Sequence, residues 1–160
     1  MITERVFVGL GANLGDARAT LTQALRDLAA LQGTQVLAVA PVYLSAPVDA
    51  MGPDYFNTVA ELRTTLEPLP LLHALQGIEQ AHGRKRPHHH APRTLDLDLL
   101  LYGARVLNEV ALTLPHPRMH ERAFVLAPLA DLAQGLAHPL LGDLAPYVQR
   151  TRSQGLTRLD

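Results

Sequence analysis

The stretch Arg93-Thr94-Leu95-Asp96-Leu97-Asp98-Leu99-Leu100-Leu101-Tyr102 limits what this chain can fold into more than any other, because its apolar and acidic residues alternate. On a strand, residues two apart share a face, so Leu95, Leu97, Leu99 and Leu101 enter a core while Asp96 and Asp98 project together from the other side. On a helix the two carboxylates would diverge. Side by side they repel each other and are costly beside a core; a divalent cation relieves both problems, and carboxylate oxygens are the ligands Mg2+ prefers. An edge strand with a solvated acidic face produces the same pattern, so alternation alone leaves both explanations open.

The rest of the chain places this strand. Val6, Val8 and Leu10 alternate with Phe7 and Gly9 in a first strand that ends in the turn Gly11-Ala12-Asn13-Leu14-Gly15-Asp16. Asp16 is positioned to cap a helix whose stripe is Leu21, Ala24, Leu25, Leu28 and Leu31, closed by Gly33. Thr34 to Leu44 reads as one long strand with Pro41 at an edge or bulge. A loop, Ser45 to Asp54, leads to a third strand over Phe56 to Arg63. The spacing then predicts a second helix over Leu69 to His82, burying Leu72, Leu75 and Ile78, with Gly83 as its C-cap. After the basic loop Arg84 to Pro92 and the acidic strand, Gly103-Ala104 turns into a return strand, Arg105 to Asn108. Beyond it lie the turn Pro115-His116-Pro117, a helix near Arg122 to Ala133 and a short C-terminal helix. This order predicts an α+β fold, a ferredoxin-like sandwich of antiparallel sheet flanked by helices, with an extra hairpin.

At 160 residues the chain fits a single domain, 1–160, and 48% hydrophobic against 18% charged residues supplies a core. A net charge of −1 gives no global attraction to nucleic acid or anionic membrane. The absence of cysteine removes disulfides, thiolate nucleophiles and zinc-thiolate sites. No signal-like leader or membrane-length apolar run occurs, so a soluble cytoplasmic protein is expected.

Arg84, Lys85, Arg86 and Arg93 bracket the acidic strand in sequence. Arginine suits bidentate capture of phosphate oxygens, and Mg2+ held by few carboxylates completes its shell with water and substrate phosphates. Carboxylates, metal and arginines together form a phosphoryl-transfer constellation. His88, His89 and His90 point in different directions on extended chain and do not converge as ligands. His116 and His120 could share a helical face, but the flanking prolines disfavour a helix there. Glu79 lies near the end of its helix as either an exposed charge or a site residue. Asn57, with Tyr55, could offer an amide and a ring to a flat heterocycle. Gly9 to Gly15 lacks the dinucleotide-binding spacing, and no acidic residue stands at the end of the second strand, so that motif is rejected.

At these residues the chain resembles the 6-hydroxymethyl-7,8-dihydropterin pyrophosphokinase family. Gly11-Ala12-Asn13-Leu14-Gly15-Asp16 is similar to its first turn, Pro53-Asp54-Tyr55-Phe56-Asn57 to its pterin-contacting segment, and Ala91-Pro92-Arg93-Thr94-Leu95-Asp96-Leu97-Asp98-Leu99-Leu100 to its signature. Pro115-His116-Pro117-Arg118-Met119 and Arg122-Ala123-Phe124-Val125-Leu126 extend the match. The resemblance implies transfer of the ATP diphosphate to the pterin hydroxymethyl group in folate biosynthesis, with AMP released. It implies Asp96 and Asp98 as ligands of two Mg2+ ions, and Arg84 and Arg93 as catalytic phosphate grips. Gln76, Glu79, Arg86, Leu99, Thr113, His116 and Arg122 would complete the ATP site. Ser45, Ala46, Val48, Tyr55, Asn57 and Phe124 would hold the pterin, the two rings sandwiching it. A monomer acting on small molecules, without nucleic acid or membrane partners, is expected. Two rivals remain: a metal-dependent phosphohydrolase using the same carboxylates, and a noncatalytic ferredoxin-like binding module. Against the latter stand the neutral charge and the lack of aromatics on a basic sheet face.

Overall fold

Strand β1 (Glu4–Ala12) is flanked on both sides, and its side chains show why. Val6, Val8 and Leu10 enter one apolar core while Phe7 enters another on the opposite face, so helices must cover both sides of the sheet. The computed structural model describes residues 2–46, 53–83 and 95–159. In chain order the remaining elements are α1 (Ala17–Ala29), β2 (Thr34–Val39), β3 (Tyr43–Ser45), β4 (Tyr55–Thr64), α2 (Pro68–Ala81) and β5 (Asp96–Tyr102). They continue with β6 (Leu107–Asn108), β7 (Thr113–Leu114), α3 (Ala123–Leu132), β8 (Ala137–His138), β9 (Gly142–Asp143), α4 (Ala145–Thr151) and β10 (Leu156–Arg158). A six-stranded sheet runs in the order β10, β3, β4, β1, β5, with β2 also on β4, and its described pairings are antiparallel. The α+β sandwich is thus present.

Helix α1 begins where Asp16 accepts a hydrogen bond from the Ala19 N–H at 3.1 Å, a cap of the kind that contributes about 1 kcal/mol. Its stripe of Ala17, Leu21, Ala24 and Leu28 meets Leu71, Leu75 and Ile78 of α2 in the first core. Gly33 follows at φ 66, and a Cβ there would fall 2.1 Å from Thr65 Oγ1, so only glycine fits this turn. The second core lies between the sheet and α3 with α4, around Phe7, Val59, Leu100, Leu101, Met119, Val125, Leu126 and Leu129. No helix among the described residues is long and apolar enough to cross a membrane.

Four expectations change in detail. The long strand over Thr34 to Leu44 is two strands, both against β4, because Pro41 has no N–H to donate and interrupts the ladder. In α2 the buried stripe uses Leu71 rather than Leu72, because Pro68, Leu71, Leu75 and Ile78 recur three and four apart on the face turned to the sheet, leaving Leu72 half-buried beside it. A register shift opposite Phe7 and Val8 inserts Leu100 as an extra residue in β5. Leu95, Leu97 and Leu99 therefore pack under α1 and α2, whereas Leu100 and Leu101 both pack under α3. Finally, the return strand does not pair with β5; β6 pairs with β7. The outer edge of β5 is already occupied: Glu79 accepts the Leu97 N–H at 2.8 Å and the His116 N–H donates to Leu100 O at 2.9 Å.

Candidate active site

Cross-strand register builds one face. Asp98 lies opposite Gly9 and Asp96 opposite Gly11 on β1; across β4, Gly11 meets Asn57 and Gly9 meets Val59; Asn57 in turn meets Tyr43, and Tyr55 meets Ser45. Because directly opposed residues point to the same side of a sheet, the two carboxylates, the two glycines, Asn57, Tyr55 and Ser45 share one surface. Between the acidic strand and the amide strand neither Gly9 nor Gly11 carries a side chain; the Leu100 side chain comes within 3.5 Å of where a Gly9 Cβ would lie, and Gly11 is buried. A Cβ on Gly11 would sit 3.3 Å from Asn57 Oδ1 and 3.7 Å from Tyr55 Cδ1. At Gly11 the missing side chain permits close approach to the backbone between Asn57 and Asp96, where the edge of a planar ring can fit.

Buried polar groups hold the rim of this surface. Asn57, 4% exposed, donates through Nδ2 to Ser45 Oγ at 2.7 Å and to Tyr55 O at 3.2 Å. Both bonds fix the plane of its amide and hold Oδ1 next to Gly11. Asn13, in the turn after β1, donates to Pro53 O at 3.1 Å and so ties that turn to the segment entering β4. Its Oδ1 is buried and has no hydrogen-bond partner, an orphan that normally costs about 1–3 kcal/mol.

The wall beside Asp98 comes from the chain after β7. His116 is anchored to β5 through its backbone, and its Nδ1 accepts the Arg118 N–H at 3.1 Å, which requires an unprotonated Nδ1. Burial pushes its pKa down, the Asp98 carboxylate partly opposes this, and Arg122 and Arg118 push the same way as burial. Arg122 places Nη1 3.9 Å from Asp98 Oδ2 and lies over the Phe124 ring, 5.4 Å from its centre. A guanidinium thus stands between the acidic strand and an aromatic face.

Among the described residues the structure therefore brings together Asp96, Asp98, His116, Arg122, Phe124, Asn57, Tyr55 and Ser45. Glu79, 3% exposed, is committed at least in part to the β5 backbone. Leu99 is buried in the first core and can present only its backbone. Gln76 is exposed on α2, Ala46 is exposed after β3 and Thr113 is half-buried on β7. Arg84, Arg86, Arg93 and Val48, like the histidine run, lie outside the described residues. The close approach at Gly11, the Ser45 clamp on Asn57 and the Arg122–Phe124 stack were not anticipated. Glycine at alternate strand positions was the available signal for the first.

The donor set suits a hard cation. Asp96 and Asp98 are half-exposed carboxylates on one face, and no group of three or more His, Cys, Asp or Glu side chains is gathered among the described residues. Two half-exposed carboxylates suit Mg2+, which keeps waters and takes substrate oxygens, better than a transition metal needing several nitrogen or sulfur ligands.

Comparisons with known proteins bear on the chain as a whole. A family model described as 7,8-dihydro-6-hydroxymethylpterin-pyrophosphokinase (HPPK) matches residues 7–134. A 2-amino-4-hydroxy-6-hydroxymethyldihydropteridine pyrophosphokinase of Pseudomonas aeruginosa is 45% identical over 157 residues, covering 98% of this chain and 97% of that protein. Its counterpart in Synechocystis is 44% identical over 135 residues, 84% of this chain and 69% of the other. Among solved structures, an HPPK-DHPS crystallised in complex with substrates superposes with a TM-score of 0.76 at 11% identity, a likeness of fold. This chain, 94% covered, spans 43% of that longer one.

Proposed function

This chain belongs to the 7,8-dihydro-6-hydroxymethylpterin-pyrophosphokinase family, and from that premise we propose that it transfers the diphosphate of ATP to the hydroxymethyl group of 6-hydroxymethyl-7,8-dihydropterin, a step of folate synthesis. The pterin hydroxyl oxygen attacks the β-phosphorus, the bond from that phosphorus to the α-phosphate bridging oxygen breaks, AMP leaves and the hydroxyl proton passes to solvent. The observation that carries this assignment is the shared sheet face on which Asp96 and Asp98 lie across β1 from Asn57, with Gly11 between Asp96 and Asn57.

Asp96 and Asp98 would hold Mg2+, two ions in this proposal, whose charge offsets that of the phosphate oxygens. The chain's own groups do the positioning. The pterin meets Gly11 through an edge, its polar groups against Asn57 and its rings between Tyr55 and Phe124, while Ser45, Ala46 and Val48 line the rim. Arg122 and His116 face the phosphates beside Asp98. Gln76, Glu79, Thr113 and the Leu99 backbone enclose the nucleotide. Arg84, Arg86 and Arg93 grip the triphosphate, with Arg84 and Arg93 stabilising charge in the transition state. Excluding water matters because it competes with the pterin hydroxyl as nucleophile. All these residues come from one chain, and in this proposal it acts as a monomer of the cytoplasm on small molecules, without nucleic acid or membrane partners.

The test is AMP release from ATP with the reduced pterin alcohol, with and without Mg2+. Release that needs both supports the assignment. ATP hydrolysis at the same rate without the pterin would point to a phosphohydrolase, and no turnover of either kind would leave only a binding module.

A further inference from the structure

Helix α3 starts without a capping side chain of its own: Arg122, at the N-cap, makes no side-chain cap bond. The missing bond comes from 32 residues further along the chain. Gln154 Oε1 accepts the Ala123 N–H at 2.9 Å, and Gln154 Nε2 donates to Glu121 O at 2.8 Å. One carboxamide thus holds the peptide groups on both sides of the Arg122 Cα. Peptide groups are planar, so the only soft coordinates between two of them are the φ and ψ of the residue they enclose. Holding both fixes Arg122 in the extended conformation it adopts, φ −121 and ψ 112, and with it the direction of its Cβ. That direction sends the guanidinium over the Phe124 ring and to 3.9 Å from Asp98.

Gln154 is itself fixed from both sides. Its N–H donates to Thr151 O at the end of α4, and two residues later Leu156 pairs with Ser45, the residue that holds the Asn57 amide. The clamp also lies beyond residues 7–134, the span matched by the family.

We propose that Gln154 is a positioning residue for the reaction, aiming Arg122 at Asp98 and its bound phosphates from the C-terminal segment, a role that rests on the function proposed above. The test is a double-mutant cycle of Gln154→Ala and Arg122→Ala, read as kcat and KM for ATP, with thermal unfolding followed in parallel. Gln154→Ala is expected to lower kcat/KM for ATP about fivefold, the scale of a coupled contact, and to have no further effect once Arg122 is alanine. Gln154→Glu keeps the acceptor but sets an oxygen against Glu121 O, so it should lose activity as alanine does. An equal loss with and without Arg122 would overturn the proposal, as would a loss that merely tracks a lowered melting temperature. A second readout does not depend on turnover: the Arg122 side-chain Nε–H resonance should shift in Gln154→Ala, and an unchanged resonance refutes the clamp. If the native protein forms no AMP, the reaction assignment fails while this resonance still decides the clamp.

Discussion

Gly11→Ala tests the close approach at this strand directly, because it adds one methyl group and nothing else. Gly11 is an ordinary strand residue without positive φ, and the added carbon would lie 3.3 Å from Asn57 Oδ1 and 3.7 Å from Tyr55 Cδ1, distances the neighbours can absorb with small shifts. Alanine also reduces the freedom of the unfolded chain, so stability should change by less than about 1 kcal/mol. Pterin binding should weaken. With its faces against Tyr55 and Phe124, the pterin meets Gly11 through an edge, which makes roughly 10 atom pairs at about 0.15 kcal/mol each, about 1.5 kcal/mol in all. Displacing that edge by about 1 Å forfeits up to half of this, about 0.75 kcal/mol or roughly three- to fourfold in Kd. The assay is titration of the reduced pterin alcohol by calorimetry in the presence of Mg2+ and a non-hydrolysable ATP analogue, beside a thermal melt. A roughly three- to fourfold weaker Kd with an unchanged melt is expected. An unchanged pterin Kd refutes the placement of the ring edge at Gly11, and a collapsed melt refutes the reasoning that the methyl is tolerated.

Other expectations follow from the same geometry. Asp96→Ala or Asp98→Ala should lower kcat by at least about a hundredfold, since even the groups that merely support metal ligands are worth about 10- to 100-fold; the metal-free fold should stay within about 0.5 kcal/mol of native in urea unfolding, because removing one carboxylate relieves repulsion. Near-native turnover would end the metal assignment. Glu79→Ala leaves the buried Leu97 N–H without this acceptor and should cost about 1–3 kcal/mol in the same experiment, with Glu79→Gln recovering part of it through its amide oxygen. His82 Nε2 lies 2.8 Å from Asp27 Oδ2 and joins α2 to α1, and this hydrogen bond holds the Asp27 carboxyl below its ordinary pKa despite its burial. Because the folded-state pKa is depressed, the stabilisation is present above the unfolded value of about 3.9 and is lost as pH falls through the folded one. The stability gap between the native protein and Asp27→Asn should therefore be visible at neutral pH and close in strong acid; a gap that persists there would contradict the pairing.

Much of the fold could be read from periodicity. The stripe from Leu21 to Leu28, the alternation in β1 and β4 and the cap at Asp16 are local, and each reports a nearby choice of helix or strand. Local pattern falls short where a distant partner decides. Pro41 by itself is compatible with a bulge or an edge, and only β4, offering one edge to two strands, makes it a break. Nothing in Arg105 to Asn108 reveals that the β5 edge is already taken by Glu79 and His116. The extra residue Leu100 follows from pairing with Phe7 and Val8, which no run of leucines announces.

The site divides in the same way. Alternation in residues 95–99 by itself determined that two carboxylates would leave one strand on one side, since side-chain direction on a strand follows from the backbone repeat. Only the folded sheet decided what they face. Register set Gly9 and Gly11 beside them and Asn57 beyond, and the start of α3 brought Arg122 within 3.9 Å of Asp98. Those neighbours lie tens of residues away along the chain, and the pairing energies that fix them depend on the whole sheet being assembled, which no local pattern records.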